Sequence, residues 1–258
     1  MRKLKLLALG LISLLAVNVS AADIDASGDL AACLTGLETT CKLTEDYNLS
    51  VGVTVVGDKI LDLNGNKLTL ADSINLSSGN SLMVTGNGEI YSESADLFCV
   101  TEGGSLNIEN GTHTSYNFNG SVAFIKGGTA NTAAKTEIVI GEAAKLIANK
   151  PLAIGNNSGA AYGVNITING TLESITGGKS GYNLGGIAIS VNGLIEKADS
   201  NIATITINET AKLISGATGT TGNNNQDSSP AIYAGGYAKW IINGGEFYGD
   251  EALSLKSG

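Results

Sequence analysis

One phrase recurs along this chain: a short strand in which apolar and polar residues alternate, then Asn-Gly or a related pair, then a second short apolar stretch. Apolar side chains at every second position have the period of a β-strand. Gly and Asn supply the positive-φ positions that turns between strands need. The copies occupy residues 60–70, 81–92, 105–115, 136–149, 164–175, 203–215 and 239–249.

Strands this short cannot bury an apolar face alone, so the repeat predicts stacked coils that each hydrogen-bond to the coils above and below. Asparagines at equivalent turns of stacked coils can join their amides in a ladder that satisfies buried polar groups. The predicted members are Asn64, Asn169, Asn208 and Asn243. The alternative is an antiparallel sandwich, which fits a single repeated phrase less well because it favours hairpin turns of fixed length.

The first 21 residues are typical of a secretory signal peptide. Three basic residues precede an apolar run at 6–17, and small residues end at Ala21, which is the expected cleavage pattern. The alternative, a membrane anchor, is disfavoured because the run is too short to span a bilayer. We therefore expect a secreted or cell-surface protein, with no membrane insertion of the mature chain.

The rest of the chain divides into an N-terminal cap at 22–50 and the coil repeats at 51–258. Within the cap, Ser27 is the predicted N-cap of a short helix that has Asp29 in its first turn. The predicted apolar face of this helix consists of Leu30, Leu34 and Leu37. No matching cap follows the last repeat, so we expect additional coils or a partner at the open C-terminal end.

Charge and composition exclude several classes of function. Removing residues 1–21 takes away three basic residues and no acidic one, so the net charge changes from −9 to −12. Such a surface repels phosphate backbones, and no nucleic-acid partner is predicted. Arg2 is the sole arginine and His113 the sole histidine, so a Ser-His-Asp triad or a zinc site is hard to build. We predict no catalytic residue, metal site or cofactor, and an exposed strand or turn position for His113.

Three cysteines remain after the predicted export signal. Cys33 and Cys41 are close in sequence and flank the predicted helix end, and export permits disulfides. We predict that they pair; two small buried thiols are the alternative. Cys99 lies in an apolar run and is predicted to be a core residue rather than a reactive one.

The segments LDLNGNKLTL, ITINGTLES and WIINGGEFYG, together with the repeat, resemble the right-handed parallel β-helix superfamily, the pectin lyase-like fold. The similarity is greatest to bacterial secreted or surface members and extends over roughly residues 29–258. It implies an all-β, single-stranded right-handed parallel β-helix solenoid with a short N-terminal capping helix. It implies no single activity, because enzymes, adhesins and phage tailspikes share this fold.

The resemblance includes polysaccharide lyases and hydrolases, but this chain lacks the residues that those enzymes typically use. Polysaccharide lyases of this fold typically use a basic residue, often Arg, with acidic residues that hold calcium, and the hydrolases use clustered Asp with a His. Residues 22–258 contain no Arg, and His113 has no neighbouring Asp. We expect a non-catalytic binding, adhesion or structural role; a polysaccharide lyase or glycoside hydrolase is the alternative.

Aromatic residues cluster near the C-terminal end of the sequence. Aromatic rings stack on sugars and anchor interfaces, so the cluster predicts contact with a polysaccharide or a host or cell-surface ligand. The alternative is that these rings pack against the coils. The predicted ligand-binding residues are Tyr233, Tyr237, Trp240 and Tyr248, with Phe247 beside them.

Overall fold

The computed structural model describes residues 21–26, 28–117, 120–155, 161–175, 186–192, 201–216, 230–249 and 251–255. Residues 1–20 of the predicted signal peptide, and the predicted N-cap Ser27, lie outside them. The described residues form 23 strands and one six-residue helix. No helix among them is long and apolar enough to cross a bilayer.

The elements follow one another with short connections. The first part of the chain contains β1 Ala21–Ile24, α1 Leu30–Thr35, β2 Thr40–Leu43, β3 Tyr47–Leu49, β4 Val53–Thr54, β5 Asp58–Asp62, β6 Lys67–Leu70, β7 Ile74–Leu76, β8 Ser81–Thr85, β9 Glu89–Ser92, β10 Phe98–Thr101 and β11 Ser105–Ser115. The second part contains β12 Ala123–Lys126, β13 Thr136–Ala148, β14 Leu152–Ile154, β15 Val164–Ile168, β16 Thr171–Ser174, β17 Ile189–Val191, β18 Ala203–Ile207, β19 Lys212–Ile214, β20 Pro230–Ala234, β21 Ala238–Ile242, β22 Glu246–Tyr248 and β23 Glu251–Leu255.

These strands form two parallel sheets, of fifteen and eight strands, arranged in three columns. The first column runs β1-β2-β5-β8-β11-β13-β15-β18-β21. The second contains β3, β6, β9, β16, β19 and β22 with the C-terminal parts of β11 and β13. The third is the eight-stranded sheet β4-β7-β10-β12-β14-β17-β20-β23. The all-β prediction is confirmed, and the antiparallel sandwich is wrong for the described strands, because all their ladders are parallel.

The core consists of rows of apolar side chains that run along each column from strand to strand. Because alternate residues of a strand point to opposite faces, one inward residue per strand adds to each row. One row of the first column consists of Leu61, Val84, Ile108, Ile140, Ile168, Ile207 and Ile242. All of these except Ile242 are fully buried.

The N-terminal helix differs in detail from the prediction. Its N-cap is Asp29, whose extended backbone lies outside the helix and whose carboxylate accepts the N–H of Ala32 at 2.9 Å. Leu30 and Leu34 are buried as predicted, but Leu37 is 98% exposed because the helix ends at Thr35. The first turn therefore begins one residue after Asp29, and the apolar face spans only two leucines.

Two links fasten the helix to the sheets. Cys33 on the helix is bonded to Cys41 on β2, with their Cα atoms 6.0 Å apart. Lys59, a buried residue of β5, extends its ammonium to the carbonyls of Gly36 (2.8 Å) and Glu38, just past the helix end. In the same region β1 pairs with β2, β2 with β5, and β3 with β6. Sheet pairing therefore already occurs within the segment predicted as the cap.

The last strand of each column, β21, β22 and β23, is the least buried part of the described sheets, because none of these strands contains a buried residue. The side chains of Ile242 and Leu255 are 51% and 69% exposed, although their equivalents on preceding strands are buried. Residues 256–258 lie outside the described part of the chain.

Candidate functional site: an asparagine-lined groove

Three of the predicted ladder residues form a hydrogen-bonded chain at one end of the first column. Asn243 Nδ2 donates to Asn208 Oδ1, and Asn208 Nδ2 donates to Asn169 Oδ1, both at 2.8 Å. Asn169 Nδ2 completes the chain by donating to the carbonyl of Ile140 at 3.2 Å. The backbone N–H group of each of these asparagines also donates to a carbonyl of the preceding strand, at 2.8 to 3.0 Å. The ladder prediction is thus confirmed for these residues, whose amides are fixed at both backbone and side chain.

The fourth predicted member, Asn64, is not part of the ladder. Its amide donates to the carbonyl of Leu43 at 3.1 Å, and its backbone has a φ of +49°. The residue of β5 that occupies the ladder position is Asp62, because Leu61 shares a row with the residues that precede the ladder asparagines. Asn64 lies two residues further on, so the prediction is wrong there.

Unequal turn lengths open a groove beside the ladder. Between the first and second columns the chain turns a corner three times in succession. The corner takes four residues at 141–144, inside β13 and between its parts that pair with β15 and β16. It takes two residues at 169–170 and four at 208–211. The short turn is therefore recessed between two longer ones. Glycine at position 170 allows the short turn to pack closely against the preceding strand, since a Cβ there would lie 2.3 Å from the carbonyl oxygen of Gly141.

The resulting groove is open to solvent, with a volume of about 640 Å³. Thr210 is fixed at its rim, because its hydroxyl donates to the carbonyl of Asn169 at 2.8 Å. The residues that line it all have polar side chains and are Glu142, Asn169, Asn208, Glu209, Thr210 and Asn243.

The charge of the groove is negative. Glu142 and Glu209 occupy the second positions of the two four-residue turns and are both exposed. The next lysines along the chain, Lys145 and Lys212, are paired with Glu173 (2.6 Å) and Glu246 (3.3 Å) on the second column. Within the described residues, no lysine nitrogen lies within 4.0 Å of either groove carboxylate. Two carboxylates therefore face this groove without a paired cation.

His113 lies away from the groove and is buried rather than exposed, contrary to the prediction. It occupies an inward row of the second column between Ile90 and Leu146. Its Nδ1 accepts the N–H of Ile90 at 3.2 Å, so its Nε2 carries the proton and donates to the Asn110 carbonyl at 2.9 Å. Burial lowers the pKa of His113 from 6.5 to about 4, although the bond to Asn110 acts in the opposite direction. A neutral ring with both nitrogens engaged has a structural role.

A second group of titratable side chains lies at the corner that leads into the third column. Burial raises the pKa of the Asp96 carboxyl, although the backbone N–H of Ser121 and the charge of Lys150 oppose the shift. Burial also lowers the pKa of Lys150 and raises that of the Cys99 thiol. Cys99 is half-buried on the outward side of β10 rather than in the core as predicted. A thiol whose pKa is raised is mostly protonated at neutral pH and a poor nucleophile.

The four predicted aromatic ligands do not share one face. Trp240 is in register with buried Ile205 and packs against the core, as does Phe247. Tyr233 points outward from β20 in the third column, and its ring covers Gly235, where a Cβ would lie 2.6 Å from it.

The other two predicted aromatic ligands are exposed. Tyr237 lies between β20 and β21, and Tyr248 lies on β22 in the second column. The hydroxyl of Tyr248 donates to Glu246 at 2.6 Å. A single aromatic platform is therefore not assembled from the four residues.

An aromatic pair that the sequence analysis missed lies on the second column. The rings of Tyr91 and Tyr116 meet edge to face with centroids 5.9 Å apart, and the ammonium of Lys67 lies 3.9 Å from the Tyr91 centroid. The lysine covers one face of Tyr91 and also pairs with Glu89 at 3.1 Å. Only the strand register brings these residues together, so no local sequence signal identifies them.

No protein-family model matches this chain, and no match to it was found among curated proteins or solved structures.

Proposed function

We propose that this chain is an exported, non-catalytic binding protein that holds a glycan in the asparagine-lined groove. The proposed scaffold is a single-stranded right-handed parallel β-helix of the pectin lyase-like type. The order of the strands supports this scaffold, because from β5 to β23 the chain visits the first, second and third columns in turn and returns one strand further along. The signal-like residues 1–21 support export, to the cell surface or outside the cell.

The asparagine ladder is the observation that carries the binding proposal. An asparagine amide has two N–H donors and an oxygen with two lone pairs. The ladder uses one donor from each of Asn169, Asn208 and Asn243. The remaining capacity lies along a groove at the spacing of parallel strands, about 4.8 Å. Sugar hydroxyls both donate and accept, so an ordered row of amides that do both matches a chain of sugar rings.

Preorganisation favours this site over other polar surfaces of the chain. Each ladder amide is held by its neighbours, so little side-chain entropy remains to be lost when a ligand binds. Thr210 is fixed in the same way by its bond to the Asn169 carbonyl. The exposed glutamates at the rim add two strong acceptors for hydroxyl groups.

The second candidate function is glycoside hydrolysis, and one observation favours it. Glu142 and Glu209 flank the recessed turn, so two strand spacings, roughly 10 Å, separate their turns. Inverting glycosidases place two carboxyl groups about 6.5–9.5 Å apart. A general acid, however, is kept protonated mainly by burial, whereas both of these side chains are exposed. Binding without hydrolysis is therefore the better supported function.

A glycan array followed by calorimetry on the best oligosaccharide tests the proposal. We expect Asn208→Ala to weaken binding about tenfold, because it removes the central amide and loosens both neighbours. The matched control is Asn165→Ala, which removes an exposed amide bonded to Glu137 on the same column, outside the groove. Thermal melts monitored by circular dichroism show whether each variant is folded.

Three results would contradict parts of this proposal. If no oligosaccharide on the array binds, the glycan function is wrong. Binding that survives Asn208→Ala in a folded variant places the ligand elsewhere. Release of new reducing ends from the bound oligosaccharide, abolished by Glu142→Gln or Glu209→Gln, would replace the binding function by the hydrolase.

A further inference from the structure

The groove combines neutral amides with uncompensated negative charge, and this combination restricts its ligand. Glu142 and Glu209 stand on opposite sides of the recessed turn, with Asn169 between them. Asn208 and Asn243 continue the ladder from the level of Glu209 to the next strand. Lys145 and Lys212 follow the two long turns, but each forms an ion pair with a glutamate of the second column. The cations that could have neutralised the groove are thus already paired.

Resting on the proposed glycan function, we infer that the groove selects an amine-bearing glycan, one whose sugar rings carry free ammonium groups. Such a ligand offers hydroxyls to the ladder and cations to the two rim carboxylates. An acidic glycan such as a polyuronide meets repulsion from the same carboxylates and from a chain whose net charge is −9. A neutral glycan satisfies the amides alone.

The expected size of this selectivity follows from the exposure of the carboxylates. An exposed ion pair strengthens binding by about 1.4- to fivefold, and salt screens it. Two such pairs give a preference of about tenfold for the amine-bearing over the neutral glycan at low ionic strength. Raising the ionic strength to about 0.2 M should reduce that preference to about two- to threefold, because the Debye length becomes shorter than 10 Å.

A set of matched hexasaccharides tests the inference on the full protein. The amine-bearing probe is a hexamer of glucosamine, the neutral probe is the N-acetylated hexamer with the same backbone, and the acidic probe is a galacturonate hexamer. Calorimetry is performed at low and at physiological salt. The double variant Glu142→Gln, Glu209→Gln removes both charges and keeps side-chain shape, and Glu251→Gln is the control for an exposed acid outside the groove lining.

We expect the order amine-bearing, then neutral, then acidic, and we expect the double variant to bind the first two equally. Equal affinity of the unmodified protein for the amine-bearing and neutral hexamers overturns the inference while leaving the glycan function intact. Failure of all three hexamers to bind, with an otherwise empty glycan array, overturns the glycan function itself. A lysine hexapeptide that binds as tightly as the glucosamine hexamer and loses affinity in the double variant overturns the inference in favour of a basic-peptide site.

Discussion

Acidification tests the environment of His113, because its imidazole is enclosed in a row of aliphatic side chains. Its neighbours in the row are Ile90 and Leu146, and no part of the ring reaches solvent. A second proton would have to enter at Nδ1, where the N–H of Ile90 already donates. Protonation in the folded state therefore replaces a hydrogen bond by a repulsive contact and buries a charge.

The sign and size of the effect follow from the two pKa values. Burial lowers the pKa of His113 from 6.5, the value expected in the unfolded chain, to about 4 in the folded one. Between these values the unfolded chain binds more protons, so the free energy of unfolding decreases as the pH falls. The complete difference corresponds to about 3 kcal/mol, of which about 2 kcal/mol is lost between about pH 7 and about pH 5.

Urea unfolding monitored by circular dichroism at these two pH values measures the loss. The His113→Gln variant has no titrating group at this position, and because the chain has one histidine, the difference between the two proteins isolates it. Carboxyl groups with shifted pKa values, such as Asp96, are common to both proteins and cancel. We expect the unmodified protein to lose about 2 kcal/mol more than the variant on acidification. An identical pH dependence of the two proteins would refute the buried neutral imidazole.

Three further predictions concern the links that hold the rows and the helix. Asn208→Ala removes a donor and an acceptor from the ladder, and urea unfolding should show a loss of about 1–3 kcal/mol. Lys59→Met should cost a similar amount because two carbonyls beyond the helix lose their donor, whereas Lys126→Met, at an exposed position, should change stability by less than about 0.5 kcal/mol. Replacing Cys33 and Cys41 by Ser opens a link of sequence separation 8 and should cost about 2.5 kcal/mol, while unfolding the unmodified protein without reductant should expose one reactive thiol.

The rows of the core could be predicted because each depends on a local pattern. Alternation within strands such as Val164–Ile168 assigns inward and outward positions without knowledge of the neighbouring strand. The ladder was predictable for the same reason, since Asn169, Asn208 and Asn243 each directly follow an inward isoleucine. Asn64 also follows a buried aliphatic residue, Leu63, so the local pattern does not distinguish it from the ladder asparagines. It was misassigned because the register pairs Leu61, not Leu63, with Val84 and places Asp62 at the ladder position.

The burial of His113 could not be predicted, because it depends on an irregularity within one strand. Simple alternation from the inward Ile108 assigns His113 to the outward face. The register of β11 against β13 shifts between Ile108 and Asn110, where the chain passes from the first column to the second. After this shift the odd-numbered positions point inward, and His113 joins the row of Leu146.

The groove could not be predicted from any single repeat, because it results from the difference in turn length between neighbouring repeats. None of the connections at 141–144, 169–170 and 208–211 has an unusual length by itself. The middle one is recessed because it is shorter than the connections on both sides of it. The sequence registers this as variable spacing between repeats, which by itself does not distinguish a protruding turn from an insertion elsewhere. Lengthening 169–170 by two residues would therefore fill the groove without altering any core row. Ligand binding abolished by that insertion, with unfolding unchanged, would separate the function of the groove from the stability of the fold.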